Sequence, residues 1–152
     1  MAETVFRRVL VPVDFSPQSE AAWELARRLA RAVGAEVVLL HVFVEAPLYS
    51  ESAFAAERVR EAYAAGRQWV EQQLARWSGT AQQEGLAVKT LMRPGVPYEE
   101  IVATARAESA DLIVIGTHGY GGVDRLLLGS VTDRVIRLAS CPILTVRQPD
   151  PE

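Results

Sequence analysis

Five short apolar runs separated by stretches with helical periodicity constrain this chain more than any other feature. The runs are RVLVPV (8–13), EVVLLHVFV (36–44), LAVKTLM (86–92), DLIVIG (111–116) and PILTV (142–146). Each is rich in Val, Ile and Leu and has the length of a strand. The first, second and fourth are apolar on both alternating faces, as strands covered by helices above and below must be. Strands that alternate with helices imply right-handed crossovers and a parallel sheet. The expectation is an open, doubly wound α/β sandwich with five parallel strands. With the three most apolar strands at the centre, the simplest order is 3-2-1-4-5. The 152 residues suit one domain spanning 1–152, with only the tail from 147 to 152 expected to fray.

The helices carry their own punctuation. Ser16 is placed as an N-cap, Pro17 at the first helical position and Gly34 just past the end, with Ala22, Leu25, Ala26, Leu29 and Val33 as the inward stripe. A second helix runs from Glu51 to about Trp77 on Val59, Tyr63, Val70 and Leu74, and Gly66 offers a point for a bend. The third turns Ile101, Val102 and Ala105 inward, and the fourth Val131, Val135 and Leu138. Trp23, Trp69 and Trp77 fall on or beside these stripes and are read as packing residues.

In the order 3-2-1-4-5 the switch point lies between strands one and four, where open α/β sheets bind ligands beyond the carboxyl ends of the strands. Strand one ends at Asp14 and strand four at Gly116. From Gly116 the chain reads GTHGYGGVDRLLLGSVTDRV, with five glycines before the fourth helix. A helix start carries roughly half a positive charge and several amides without acceptors, which suits a phosphate. Glycines at 116, 119 and 129 would let the backbone approach such a guest, and Ser130 and Thr132 would add hydroxyls. Loop chemistry alone also accommodates a surface turn in which Ser130 is only an N-cap and Asp14 only caps the turn into the first helix.

Spacing separates the known phosphate loops. A Walker loop needs a lysine after its last glycine, and the dinucleotide fingerprint should follow strand one, where this chain has VDFSPQS. The pattern that fits is G-x-x-G, nine residues, then G-[ST], at Gly116, Gly119, Gly129 and Ser130. Here the chain resembles the universal stress protein family, in its ATP-binding branch. The likeness spans nearly the whole chain: VLVPVDFS, LLHV, GVPYEEIV, DLIVIGTHG, LLLGSVTDRVI and CPILTVR. It implies an adenine nucleotide alpha hydrolase-like fold and ATP, with Mg²⁺, held between the carboxyl ends of strands one and four. It also implies that Asp14, flanked by Pro12 and Val13, lies by the ribose and adenine, and that the Val42 backbone reads the adenine edge. Gly116 and Gly119 are implied beside ribose and phosphate, and Gly129, Ser130, Val131 and Thr132 as the phosphate cradle. A homodimer through the last strand, Ile143, Leu144, Thr145 and Val146, is implied as well, and an exposed edge strand invites such pairing.

The remaining residues narrow the function. A net charge of −3 without a clustered basic face argues against nucleic acid. The single cysteine, Cys141, excludes an intrachain disulfide and reads as a small buried hydrophobe. With no long apolar run, the expectation is a cytoplasmic protein that does not span a membrane. His41 reads as a hydrogen-bonded core residue and His118 as a loop residue without catalytic partners. Lys89, the only lysine, belongs to strand three, away from the crevice. Arg125 is the one base within the loop, and Asp124 and Asp133 are near enough to repel a phosphate or help hold Mg²⁺. A receiver domain would need an acidic pair at strand one and a lysine after strand five, and both are missing. The resulting expectation is a dimeric, nucleotide-dependent stress-response module. Its rivals are a weak ATPase or autophosphorylating protein and an interaction module of the same fold that binds no nucleotide.

Overall fold

The computed structural model describes residues 3–45, 52–118 and 128–148. The elements follow the expected alternation: β1 (Arg8–Pro12), α1 (Pro17–Val33), β2 (Glu36–Phe43), α2 (Ala53–Gln83), β3 (Val88–Pro94), α3 (Pro97–Ala107), β4 (Leu112–Gly116), α4 (Ser130–Leu138) and β5 (Ile143–Val146). All pairings are parallel and the order is β3-β2-β1-β4-β5.

Side-chain alternation on the central strands divides the core in two. Val9 and Val11 of β1 face α1 and α2 together with Val37 and Leu39 of β2. Leu10 faces α3 and α4 together with Val38, Leu40 and Ile113. Burying each such side chain contributes about 1.5–3 kcal/mol, so β1 fixes both layers at once. Helix α1 starts and stops as its sequence dictates. Ser16 Oγ accepts from the Ser19 amide, Pro17 opens the helix, and Gly34 closes it in the left-handed conformation at φ 73°.

Two helical stripes differ from expectation. Helix α2 stays helical through Gly66 and continues to Gln83, but only Val70, Leu74, Ser78 and Ala81 are buried. Tyr63 is exposed and Val59 only partly covered. A helix of 31 residues spans roughly 46 Å at 1.5 Å per residue, against roughly 26 Å for the 8-residue β2. The first half of α2 therefore runs past the sheet. At the end of α4, Leu138 is 51% exposed, and Thr132 and Val135 carry that helix's burial.

The β1–β4 pair positions the site. At the amino ends the Asp111 carboxylate accepts from the amides of Arg7 (2.8 Å) and Arg8 (3.1 Å), and the Asp111 amide donates to the Arg8 carbonyl. Pairing between β1 and β4 then covers only Val9 with Leu112 and Leu10 with Ile113. Meanwhile β1 stays on β2 to Pro12 opposite Leu40, and β4 stays on β5 to Gly116 opposite Val146. Neighbours that part while each keeps its outer partner leave a crevice between their carboxyl ends.

Candidate functional site

One wall of the crevice is the segment from Val13 to Ser16. The Val13 amide donates to the Leu40 carbonyl at 2.8 Å. The Val13 carbonyl lies 2.8 Å from His41 Nδ1, and since a carbonyl can only accept, His41 carries its proton on Nδ1. Asp14 is exposed, and its Oδ1 accepts from the Ser16 amide at 2.9 Å, shaping the turn into α1. The capping role considered for Asp14 is thus present in the structure: one oxygen shapes the turn, and the exposed carboxylate stands at the crevice. Pro12 and Val13 are buried behind it.

The adjoining wall is the end of β2. Val13 closes on the Leu40 carbonyl, and the Gly95 amide donates to the Phe43 carbonyl from the opposite side. Main-chain groups alternate sides along a strand in a parallel sheet. Those of Val42 therefore point toward β1, beyond the last β1 pair, while its side chain packs on the α3–α4 core.

Across the crevice, Gly116 ends β4 and α4 begins with Gly129 as its N-cap, so Ser130 is the first helical residue and not the cap. Among the described residues no side chain caps α4. This sets it apart from α1 and α2, whose first amides are answered by Ser16 and Ser52. Helix α3 also lacks a side-chain cap and carries Glu99 and Glu100 in its first turn, where α4 carries Asp133 alone. The amides of Ser130, Val131 and Thr132 have no acceptor within their own helix. Ser130 is exposed and Val131 half-buried. Thr132 is buried and donates its hydroxyl hydrogen to the Gly116 carbonyl at 2.7 Å, so it offers a ligand its backbone N–H and not an O–H donor.

Gly116 and Gly129 each have a packing reason of their own. A Cβ at Gly116 would lie 3.0 Å from the backbone of Gln18, so this glycine lets the first turn of α1 close on β4. A Cβ at Gly129 would lie 3.2 Å from the Thr117 carbonyl oxygen, which accepts the Gly129 amide at 2.7 Å. Both glycines bring the walls of the crevice together. Gly119, Asp124 and Arg125 lie outside the described residues. Asp133 is paired with Arg137 at 3.1 Å. Lys89, near the amino end of β3, binds Glu108 at the end of α3 at 2.9 Å.

The match to known proteins covers nearly all of the chain. The model of the universal stress protein family matches residues 6–147. The chain belongs to that family. One relative, universal stress protein MJ0531 of Methanocaldococcus jannaschii, is 35% identical over 99% of this chain and 87% of its own length. Among solved structures, protein MJ0577 of the same organism superimposes with a TM-score of 0.80 at 30% identity, covering 95% of this chain and 98% of that one. A universal stress protein in complex with cAMP shares the fold at a TM-score of 0.70 and 23% identity, over 95% of this chain and 98% of that one. No helix among the described residues of this universal stress protein is long and apolar enough to cross a membrane.

Sequence reasoning missed one residue beside the crevice. Phe15, next to Asp14, adopts φ 64°. Nothing in a hydrophobic pattern marks a bulky residue for the left-handed region, because tertiary packing supplies what holds it there.

Proposed function

We propose that this universal stress protein belongs to the ATP-binding branch of its family and works in the cytoplasm as a homodimeric, nucleotide-dependent stress-response module. One observation carries the reading. The start of α4, which no described side chain caps and whose first three amides lack helical acceptors, adjoins the crevice that opens where β1 and β4 part. Phosphates fit those amides, while Asp14 and the main chain of Val42 line the other side for ribose and adenine. The cAMP complex of a protein with this fold supports an adenine nucleotide as the ligand class. Mg²⁺ enters this reading as the counter-ion of the triphosphate. The dimer is assigned to the edge strand β5, Ile143–Val146.

Thermal unfolding with Mg²⁺ and ATP, against Mg²⁺ alone, tests this directly. At about 100 times the dissociation constant a ligand adds roughly 2.7 kcal/mol, and each kcal/mol raises Tm by about 2–4 °C at this size. A rise of several degrees, larger for ATP than for GTP, is expected. Protein that shows no shift and carries no nucleotide from purification would leave an interaction module and remove the nucleotide.

A further inference from the structure

We propose that Phe15 is a positioning residue for the nucleotide: an aromatic clamp holds it in the left-handed conformation, and that conformation aims the Asp14 carboxylate into the crevice. The proposal rests on the nucleotide reading above and assigns a residue that the glycine-loop motif does not contain.

Phenylalanine is a poor choice for φ 64°, where a bulky side chain is an outlier that needs surrounding structure to hold it. Three rings provide it. Phe15 stacks on His41 with centroids 5.4 Å apart, and meets Trp69 and Trp77 edge-on at 5.4 and 5.1 Å. Trp77 stacks in turn on the buried Trp23 of α1 at 6.2 Å, anchoring the cluster in the core. Edge-to-face and stacked pairs at these separations are attractive beyond their burial.

His41 acts on both sides of Asp14. Its Nδ1–H holds the Val13 carbonyl and its ring holds Phe15. Asp14 therefore lies between two neighbours fixed by one imidazole, and its own Oδ1 is engaged by the Ser16 amide. The Trp69 ring is half-exposed while gripping Phe15, so the clamp reaches the solvent side of the molecule without depending on deep burial. The physical consequence is preorganisation: a carboxylate already fixed in place loses less freedom when ligand binds.

The test is a double-mutant cycle on ATP affinity, measured by calorimetry on the intact chain. Phe15→Gly permits φ 64° but no longer imposes it. Ordering one residue's backbone costs about 1–2 kcal/mol, so ATP affinity is expected to fall about 5- to 30-fold. In an Asp14→Ala background the same change should cost less than about twofold, because a positioning residue has nothing left to position. Inorganic tripolyphosphate, which needs only the cradle, should bind Phe15→Gly and the unaltered protein alike, and Phe15→Tyr should restore ATP binding. If Phe15→Gly folds poorly, Trp69→Ala at its half-exposed position should give a smaller loss with the same dependence on Asp14. Equal losses with and without Asp14, or a matching loss for tripolyphosphate, would overturn the proposal while leaving the nucleotide reading intact. Failure of the unaltered protein to bind ATP overturns both.

Discussion

The Thr132 hydroxyl donates to the Gly116 carbonyl at 2.7 Å, joining the first turn of α4 to the last residue of β4 across a separation of 16 residues. The strand end it holds is also held by β5, since the Thr117 amide donates to the Val146 carbonyl at 3.0 Å and the Gly129 amide returns to the Thr117 carbonyl at 2.7 Å. The start of the proposed phosphate cradle is thus fixed to the sheet by a side chain and closed by the backbone. Replacing Thr132 by Val keeps the shape and removes the donor, leaving a carbonyl acceptor short of its partner at a buried position. Such a loss costs about 1–3 kcal/mol, or about 2–4 °C in Tm for each kcal/mol. Thr132→Ser retains the hydroxyl and should lose less. Differential scanning calorimetry of the pair checks this, and a Thr132→Val protein as stable as the parent would show that the bond does not hold α4 in place.

Much of this architecture is legible in the sequence because its signals are local and redundant. Ser16, Pro17 and Gly34 set the ends of α1 by their own conformational preferences, and the unbroken apolar runs of β1, β2 and β4 leave little choice but the centre of a parallel sheet. The crevice follows from the strand order. What stayed hidden depends on contacts between distant elements. The glycine at 116 is required by Gln18, and the hydroxyl of Thr132 is turned to a carbonyl instead of a ligand. The exposure of Tyr63 reflects the length of α2 relative to the sheet, which a helical stripe alone cannot report. Phe15 at φ 64° is the extreme case, since the rings it packs on, His41, Trp69 and Trp77, all lie far from it in the sequence.

Cys141 precedes β5 and packs against the α3–α4 side of the core. Burial raises its thiol above the ordinary value of 9.0; its own backbone hydrogen bond works against that rise and the negative charge of Asp111 adds to it. The folded protein thus keeps this proton to a higher pH than the unfolded chain. Below the unfolded value both states are protonated and stability is unaffected. As pH climbs past about 9, the unfolded state gives up the proton first and stability falls until the folded thiol also ionises. Cys141→Ala should flatten that alkaline decline, read as urea midpoints at about pH 8 and about pH 10. The same shift suppresses the thiolate, so iodoacetamide at neutral pH should modify native protein much more slowly than protein in urea. Equal alkylation rates, or identical alkaline slopes for parent and variant, would contradict this account.

At the edge strand β5 the hydrogen-bonded ladder dictates where the outward groups are. Ile113 donates to the Pro142 carbonyl and Thr117 to the Val146 carbonyl, so residues 142, 144 and 146 turn their main-chain groups toward β4. By alternation, those of Ile143 and Thr145 face away from β4, on the side assigned to the second copy. Thr145→Pro removes an outward amide and leaves the β4 ladder its partners, as proline at a sheet edge can. The expected result is a protein that stays folded but elutes as a monomer by light-scattering chromatography at concentrations where the parent is a dimer. Leu144→Pro, by contrast, removes an inward amide and should cost stability as well. A Thr145→Pro protein that remains dimeric would move the interface away from β5, and a parent that is monomeric at every concentration would remove the dimer.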